Sequence, residues 1–135
     1  MKLAHNDVFL SESTAFYVCG STAEVARTLF YPAAVEAEKD AKKAAANKKA
    51  FDDKREAYTR AVMGAINFER CVWPKERSYS TKDMETLSRQ ALWKAGLHFE
   101  HGTGHCHSAP IENFKDAKYT ALKPGMCQAC GPAYY

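Results

Sequence analysis

An α+β domain, with an antiparallel sheet covered by two main helices of which the first is long, is the fold class this sequence predicts. Three observations predict it. Short β-branched and aromatic runs separated by polar or glycine-bearing turns fill residues 8–31, and a stretch rich in Ala, Glu and Lys begins at Ala33. A second stretch of helical apolar spacing, with capping residues at both ends, lies between Ser80 and Gly96.

In chain order, the runs Val8 to Leu10, Ala15 to Cys19 and Val25 to Tyr31 suit two or three strands, most simply an antiparallel meander. Pro32 suits a first helical turn, because its fixed φ and missing N–H cost nothing there. From Ala33 the composition favours a long helix. Its first half, Glu36 to Lys49, is polar on nearly every face and should stand in solvent or against a partner. In the second half Phe51, Tyr58, Val62, Ile66 and Glu69 recur at about a helical period, with Ala61 and Ala65 widening the stripe, so this part should pack on a sheet. Pro74 marks an end or a kink. Ser80 or Thr81 can cap a second helix whose apolar face is Met84, Leu87, Ala91, Leu92 and Ala95, and Gly96 suits a left-handed C-terminal position. Leu97 to Phe99 could be a strand leading into His101-Gly102-Thr103-Gly104-His105, which reads equally as loop or strand edge. Lys123-Pro124-Gly125 is a turn, and Met126 to Cys130 a short strand.

The totals narrow the function classes. A chain of 135 residues, 46% hydrophobic and 26% charged, has the composition of one globular domain. A net charge of +3, with acids and bases interleaved, demands no nucleic-acid partner. There is no apolar run long enough to cross a bilayer and no signal or transit pattern, so the expected compartment is the cytoplasm, a cytoskeletal or ribosomal association included. A mitochondrial address without a cleavable presequence is the alternative. Five cysteines, Cys19, Cys71, Cys106, Cys127 and Cys130, without a secretory signal suit reduced thiols or metal ligands better than a disulfide framework.

Three segments, in the same order and at similar spacing, carry a resemblance. Ser13-Thr14-Ala15-Phe16-Tyr17-Val18-Cys19-Gly20-Ser21-Thr22 and Val25-Ala26-Arg27-Thr28 form the first. The second joins Ala91-Leu92-Trp93-Lys94-Ala95-Gly96-Leu97 to His101-Gly102-Thr103-Gly104-His105, and the third runs from Leu122 to Pro132-Ala133-Tyr134-Tyr135. Together they resemble the catalytic domain of the aminopeptidase P (Xaa-Pro aminopeptidase) metallopeptidases, which implies a partial pita-bread fold. On this reading residues 1–135 form a single domain, half of that fold, with a polar helical extension at about 33–50.

The resemblance also implies a ligand set. Such enzymes hold two divalent metals with two Asp, one His and two Glu, and the metals activate a bridging water. Here Cys19 occupies the first Asp position. The second falls on Ala23 or, with one inserted residue, on Glu24. His105 keeps the histidine position, Gly131 stands at the first Glu position, and His101 keeps a place on the substrate side. The histidine segment that normally follows looks deleted between Cys106 and Lys123. These replacements lead to the expectation of no dimetal cofactor and of a non-catalytic structural or interaction subunit of a larger protein assembly. The alternative is a divergent metal-dependent aminopeptidase or hydrolase that completes its site through another chain. A single zinc on Cys19, His105, Cys127 and Cys130, or with Cys106 as fourth ligand, is the one cofactor the thiols could hold, although two cysteines three apart in a strand point to opposite faces. The charged helix at 36–55 could meet RNA, a microtubule or another subunit, its bland reading being a solvated helix of i, i+4 pairs. Trp73 and Trp93 read as core or interface anchors.

Overall fold

The computed structural model describes residues 7–31, 39–74, 76, 77, 79, 81–106 and 122–135. The chain divides into two compact units, Met1–Lys54 and Arg55–Tyr135.

In the first unit, β1 (Val8–Phe16) and β2 (Thr22–Phe30) pair antiparallel in continuous register from Val8 opposite Phe30 to Phe16 opposite Thr22. The expected break between Leu10 and Ala15 is absent. A polar run such as Ser11 to Thr14 ends a strand when one face must be buried, but most residues on both faces of this ribbon are exposed, so polar side chains sit on it without cost. The meander is thus a hairpin. Its turn closes through Gly20 N–H donating to Tyr17 O and Tyr17 N–H to Ser21 O, both at 2.9 Å. Gly20, at φ 86°, takes the left-handed conformation that a side chain would oppose.

Helix α1 (Ala41–Glu69) is the long helix expected, but it begins later than Ala33. Asp40 is its cap, its carboxylate accepting the N–H groups of Lys42 at 2.9 Å and Lys43 at 3.4 Å. Pro32 and residues 33–38 lie outside the described residues. Within the first unit the Phe30 ring meets Phe51, centroids 5.2 Å apart, and the Lys54 ammonium lies 5.5 Å from the Phe30 centroid.

In the second unit the buried face of α1 is Ala57, Gly64 and Phe68, with Ala61 and Ala65 half-buried beside them. The expected stripe of Tyr58, Val62 and Ile66 is instead exposed. The reason is the closeness of the helix crossing. A Cβ at Gly64 would collide with the backbone carbonyl of Ser88, so the small side chains mark the contact face and the large ones are excluded from it.

Helix α2 (Thr81–Trp93) turns Met84, Ser88, Arg89, Ala91 and Leu92 inward, while Ala95, expected on this face, lies beyond the helix and is exposed. Gly96 ends the helix at φ 70°; its N–H donates to Trp93 O, and Leu97 N–H reaches back to Leu92 O at 3.1 Å, satisfying the last carbonyls. Ser80 lies outside the described residues. Phe68, Met84 and Leu122 make the core cluster, with Cys71, Trp73, Leu87, Met126 and Cys130 packed on it. Leu97 to Phe99, expected as a strand, belongs to no strand. The last two strands, β3 (Gly104–Cys106) and β4 (Gln128–Cys130), form a second antiparallel pair, and the Lys123–Met126 turn, in which Gly125 has φ 90°, precedes β4. Among the described residues no helix is long and apolar enough to cross a membrane.

Candidate functional site

The two histidines of the His101 to His105 segment are held by different means. His105 sits in β3 opposite Ala129 of β4, half-buried. The strands approach closely because Gly104, opposite Cys130, has no side chain; a Cβ there would strike the Ala129 carbonyl. Past the end of β4, Gly131 N–H donates to Thr103 O at 2.6 Å and extends the pairing by one bond.

His101 precedes the strand. Its ring lies against Phe99, centroids 4.8 Å apart, and meets the edge of Tyr135 at 5.6 Å. Nδ1 is 2.7 Å from the Gly102 carbonyl, which can only accept, so Nδ1 carries the proton. In the neutral ring Nε2 then bears a lone pair; it is buried and has no hydrogen-bond partner among the described residues.

A charged pair from α2 underlies this segment. Arg89, 6% exposed, stacks over the Phe99 ring at 3.9 Å, donates from Nη1 to Phe99 O and from Nη2 to His101 O at 2.7 Å, and binds Glu85 through Nη2 at 2.5 Å and Nε at 3.1 Å. The same Glu85 oxygen accepts the hydroxyl of the fully buried Thr103 at 3.4 Å. Sequence reasoning passed over these residues, since an arginine in an amphipathic helix is ordinarily solvated. The available signal was the i, i+4 pair Glu85/Arg89 lying between Met84 and Leu92 on the apolar side.

The other anticipated positions fall in both units. Cys19 is exposed at the hairpin turn, 3.2 Å from the Ser21 hydroxyl, whose hydrogen bond lowers the thiol below its ordinary range. Glu24 is half-buried in β2 opposite Thr14, next to Ala23 opposite Ala15. Cys127 is exposed, whereas Cys130 packs on the core cluster near Ser88 and burial pushes its thiol up to about 11. Their Cys-x-x-Cys spacing therefore sends one sulfur to solvent and one to the interior. Gly131 offers no ligand atom, although the space around it is open. Cys106 lies in β3 opposite Gln128, and residues 107–121, where the deletion was expected, lie outside the described residues. Among the described residues no three of His, Cys, Asp and Glu are grouped to hold an ion.

The pattern of metallopeptidase family M24 matches residues 1–135. A protein named Probable Xaa-Pro aminopeptidase P from Tuber melanosporum is 31% identical over 137 residues, covering 95% of this chain and 19% of that protein. Xaa-Pro aminopeptidase 2 of Homo sapiens is 30% identical over 143 residues, covering 99% of this chain and 18% of its own length. The crystal structure of an X-prolyl aminopeptidase from Caenorhabditis elegans, a cytosolic enzyme with a di-nuclear active site, superimposes with a TM-score of 0.65 at 29% identity, over 96% of this chain and 19% of that one. The fold is accordingly the partial pita-bread α+β fold. The chain spans about a fifth of the length of these relatives.

These likenesses correct the expectation of a non-enzyme. Relatives that match nearly the whole chain are aminopeptidases, and the structural neighbour is an enzyme. The expectation weighed ligand positions singly, in a chain that spans about a fifth of the length of these relatives. With the histidine segment, the fold and the sequence pattern in agreement along residues 1–135, the chain belongs to metallopeptidase family M24.

Proposed function

We propose that this chain is the histidine-bearing part of a metal-dependent Xaa-Pro aminopeptidase, its site completed by carboxylates from outside these residues. The observation that carries the reading is the treatment of the two histidines. His105 is fixed by strand pairing, and His101 is caged by two aromatic rings, its Nε2 without a hydrogen-bond partner among the described residues. A buried nitrogen without a partner costs about 1–3 kcal/mol, a cost that fits a group kept for a ligand. In this reading His105 offers a nitrogen to a divalent ion, which when bound supplies an activated water, and His101 orients the peptide through Nε2. No step is assigned to Cys19, Glu24 or Gly131.

Large exposed side chains on both faces of the hairpin, Val8 and Leu10 on one and Val25 and Leu29 on the other at 45–57% exposure, support the same reading, since further protein would cover them. We assign the protein to the cytosol, as its structural neighbour is described. The test is made on material isolated from its natural source with any longer polypeptide or partners retained. Peptides with proline in the second position should lose their first residue, chelation should stop this, manganese should restore it, and His105→Ala in the re-expressed complex should abolish it. A complete preparation that carries no divalent metal and leaves such peptides uncut would overturn the proposal.

A further inference from the structure

The clamp between α2 and the histidine segment is more elaborate than packing requires. A buried arginine is expensive unless paired, and Arg89 is paired with Glu85 in its own helix, where the two alone would already balance charge. Yet its remaining donors go to two carbonyls outside the helix, those of Phe99 and His101, and its partner takes the Thr103 hydroxyl. The bonds thus fall on the residue two before His101, on His101 itself, and on the residue midway between His101 and His105. Thr103 passes the restraint on, because its carbonyl holds the Gly131 N–H at 2.6 Å. The orientation is also specific. With its carbonyl held by Arg89 and its ring lying tilted against the Phe99 that the guanidinium covers, His101 has little freedom to turn Nδ1 away from Gly102 O.

We propose that Arg89 and Glu85 are positioning residues that set the ring orientation and tautomer of His101 and, through Thr103, the seat of His105. The catalytic meaning of this rests on the aminopeptidase reading above; the geometric claim does not. A planar guanidinium can bind a carboxylate and two carbonyls at once, whereas an ammonium is a point charge that cannot span them, so Arg89→Lys keeps the charge and removes the fork. Glu85→Gln keeps the shape and removes the charge that holds the guanidinium.

The test reads the histidine rings directly, by long-range proton–nitrogen NMR of the full chain labelled with 15N-histidine. In the wild type His101 should show a protonated Nδ1 and a bare Nε2. In Arg89→Lys the two nitrogens should move toward averaged positions and the His105 signals should shift, while far-UV circular dichroism keeps the helical signal. Should Arg89→Lys lose its fold, Glu85→Gln reads the same signals. Arg60→Met is the control. Arg60 also binds a glutamate one turn back, Glu56 at 2.7 Å, and a distant carbonyl, that of Ala91 at 2.8 Å, but nothing in the histidine segment, so its loss should leave both histidines unmoved. If His101 keeps its Nδ1–H pattern in folded Arg89→Lys or Glu85→Gln, or if Arg60→Met disturbs it equally, the assignment is wrong. Because no turnover is measured, absence of peptidase activity would sink the earlier reading without touching this one.

Discussion

Replacing Gly64 by alanine sets two effects of opposite sign against each other, and the helix crossing decides between them. Alanine gains about 1 kcal/mol over glycine inside a helix, so on an exposed face of α1 the change would stabilise. At Gly64 the added methyl falls on the backbone carbonyl of Ser88, which is tied into α2 and cannot rotate aside as a side chain tip would. Ser88 is itself fully buried, so α2 must shift as a body or α1 must bend. Overpacking of this kind costs about 1–3 kcal/mol, and a backbone obstacle places it at the upper end. The net expectation is a loss of about 1–2 kcal/mol. With a urea dependence of about 1–3 kcal/mol per molar for a chain of this size, the unfolding midpoint should fall by roughly 0.5–1 M, followed by circular dichroism at 222 nm. Gly131→Ala provides the comparison, since a Cβ there meets nothing within 4 Å, and it should stay within about 0.5 kcal/mol of the wild type. A Gly64→Ala protein as stable as the wild type, or more so, would refute the close crossing and with it the reason given for the exposed Tyr58, Val62 and Ile66.

Further outcomes follow from the core, the cap and the thiols. Leu92→Ala removes a side chain with no exposed surface and should cost about 2–5 kcal/mol in the same urea assay. Asp40→Ala should cost about 1 kcal/mol and shorten α1 from its first turn, read as lost amide protection at Lys42 and Lys43. Iodoacetamide at pH 8 should label Cys19 well before Cys130, as peptide mapping would show, because one thiol is exposed and lowered by Ser21 while the other is raised by burial. Cys130 also makes stability depend on alkaline pH. Its folded value lies above the unfolded one, so the stabilisation is complete below about pH 9 and is lost as pH rises toward 11, by about 1–2 kcal/mol after allowance for partial solvent contact; a Cys130→Ala chain should lack this slope.

Local chemistry made much of the fold legible. The hairpin strands, the second helix and the Gly96 and Gly125 turns each announce themselves through residues whose backbone preferences act within a few positions. The histidine segment was legible for the same reason, its glycines marking close approach, and Gly104 does allow β4 to come near. What could not be read depended on distance in the chain. Which face of α1 is buried is decided by Ser88, more than twenty residues away, and small side chains carry too little hydrophobic signal to outweigh Tyr58 and Ile66. Arg89 looked solvated because its partners Phe99 and His101 reach it only after Gly96 has turned the chain back. The placing of Cys19 and Gly131 at carboxylate positions rests on the resemblance alone, and a few positions in a chain spanning about a fifth of its relatives' length do not decide whether it belongs to an enzyme; the expectation of a non-enzyme failed on that point.

The hydroxyl and carbonyl of Thr103 bear on how this region opens. A residue with no exposed surface, bound through its side chain to Glu85 in α2 and through its backbone to Gly131 beyond β4, belongs to helix and strand pair alike. Amide hydrogens of the Thr103–His105 stretch should therefore exchange in the slow class set by α2, at one common opening free energy, and not in the fast class typical of a loop. In the proposed reading, a peptide arriving at His101 would meet a surface already ordered by folding, with little left to order on binding.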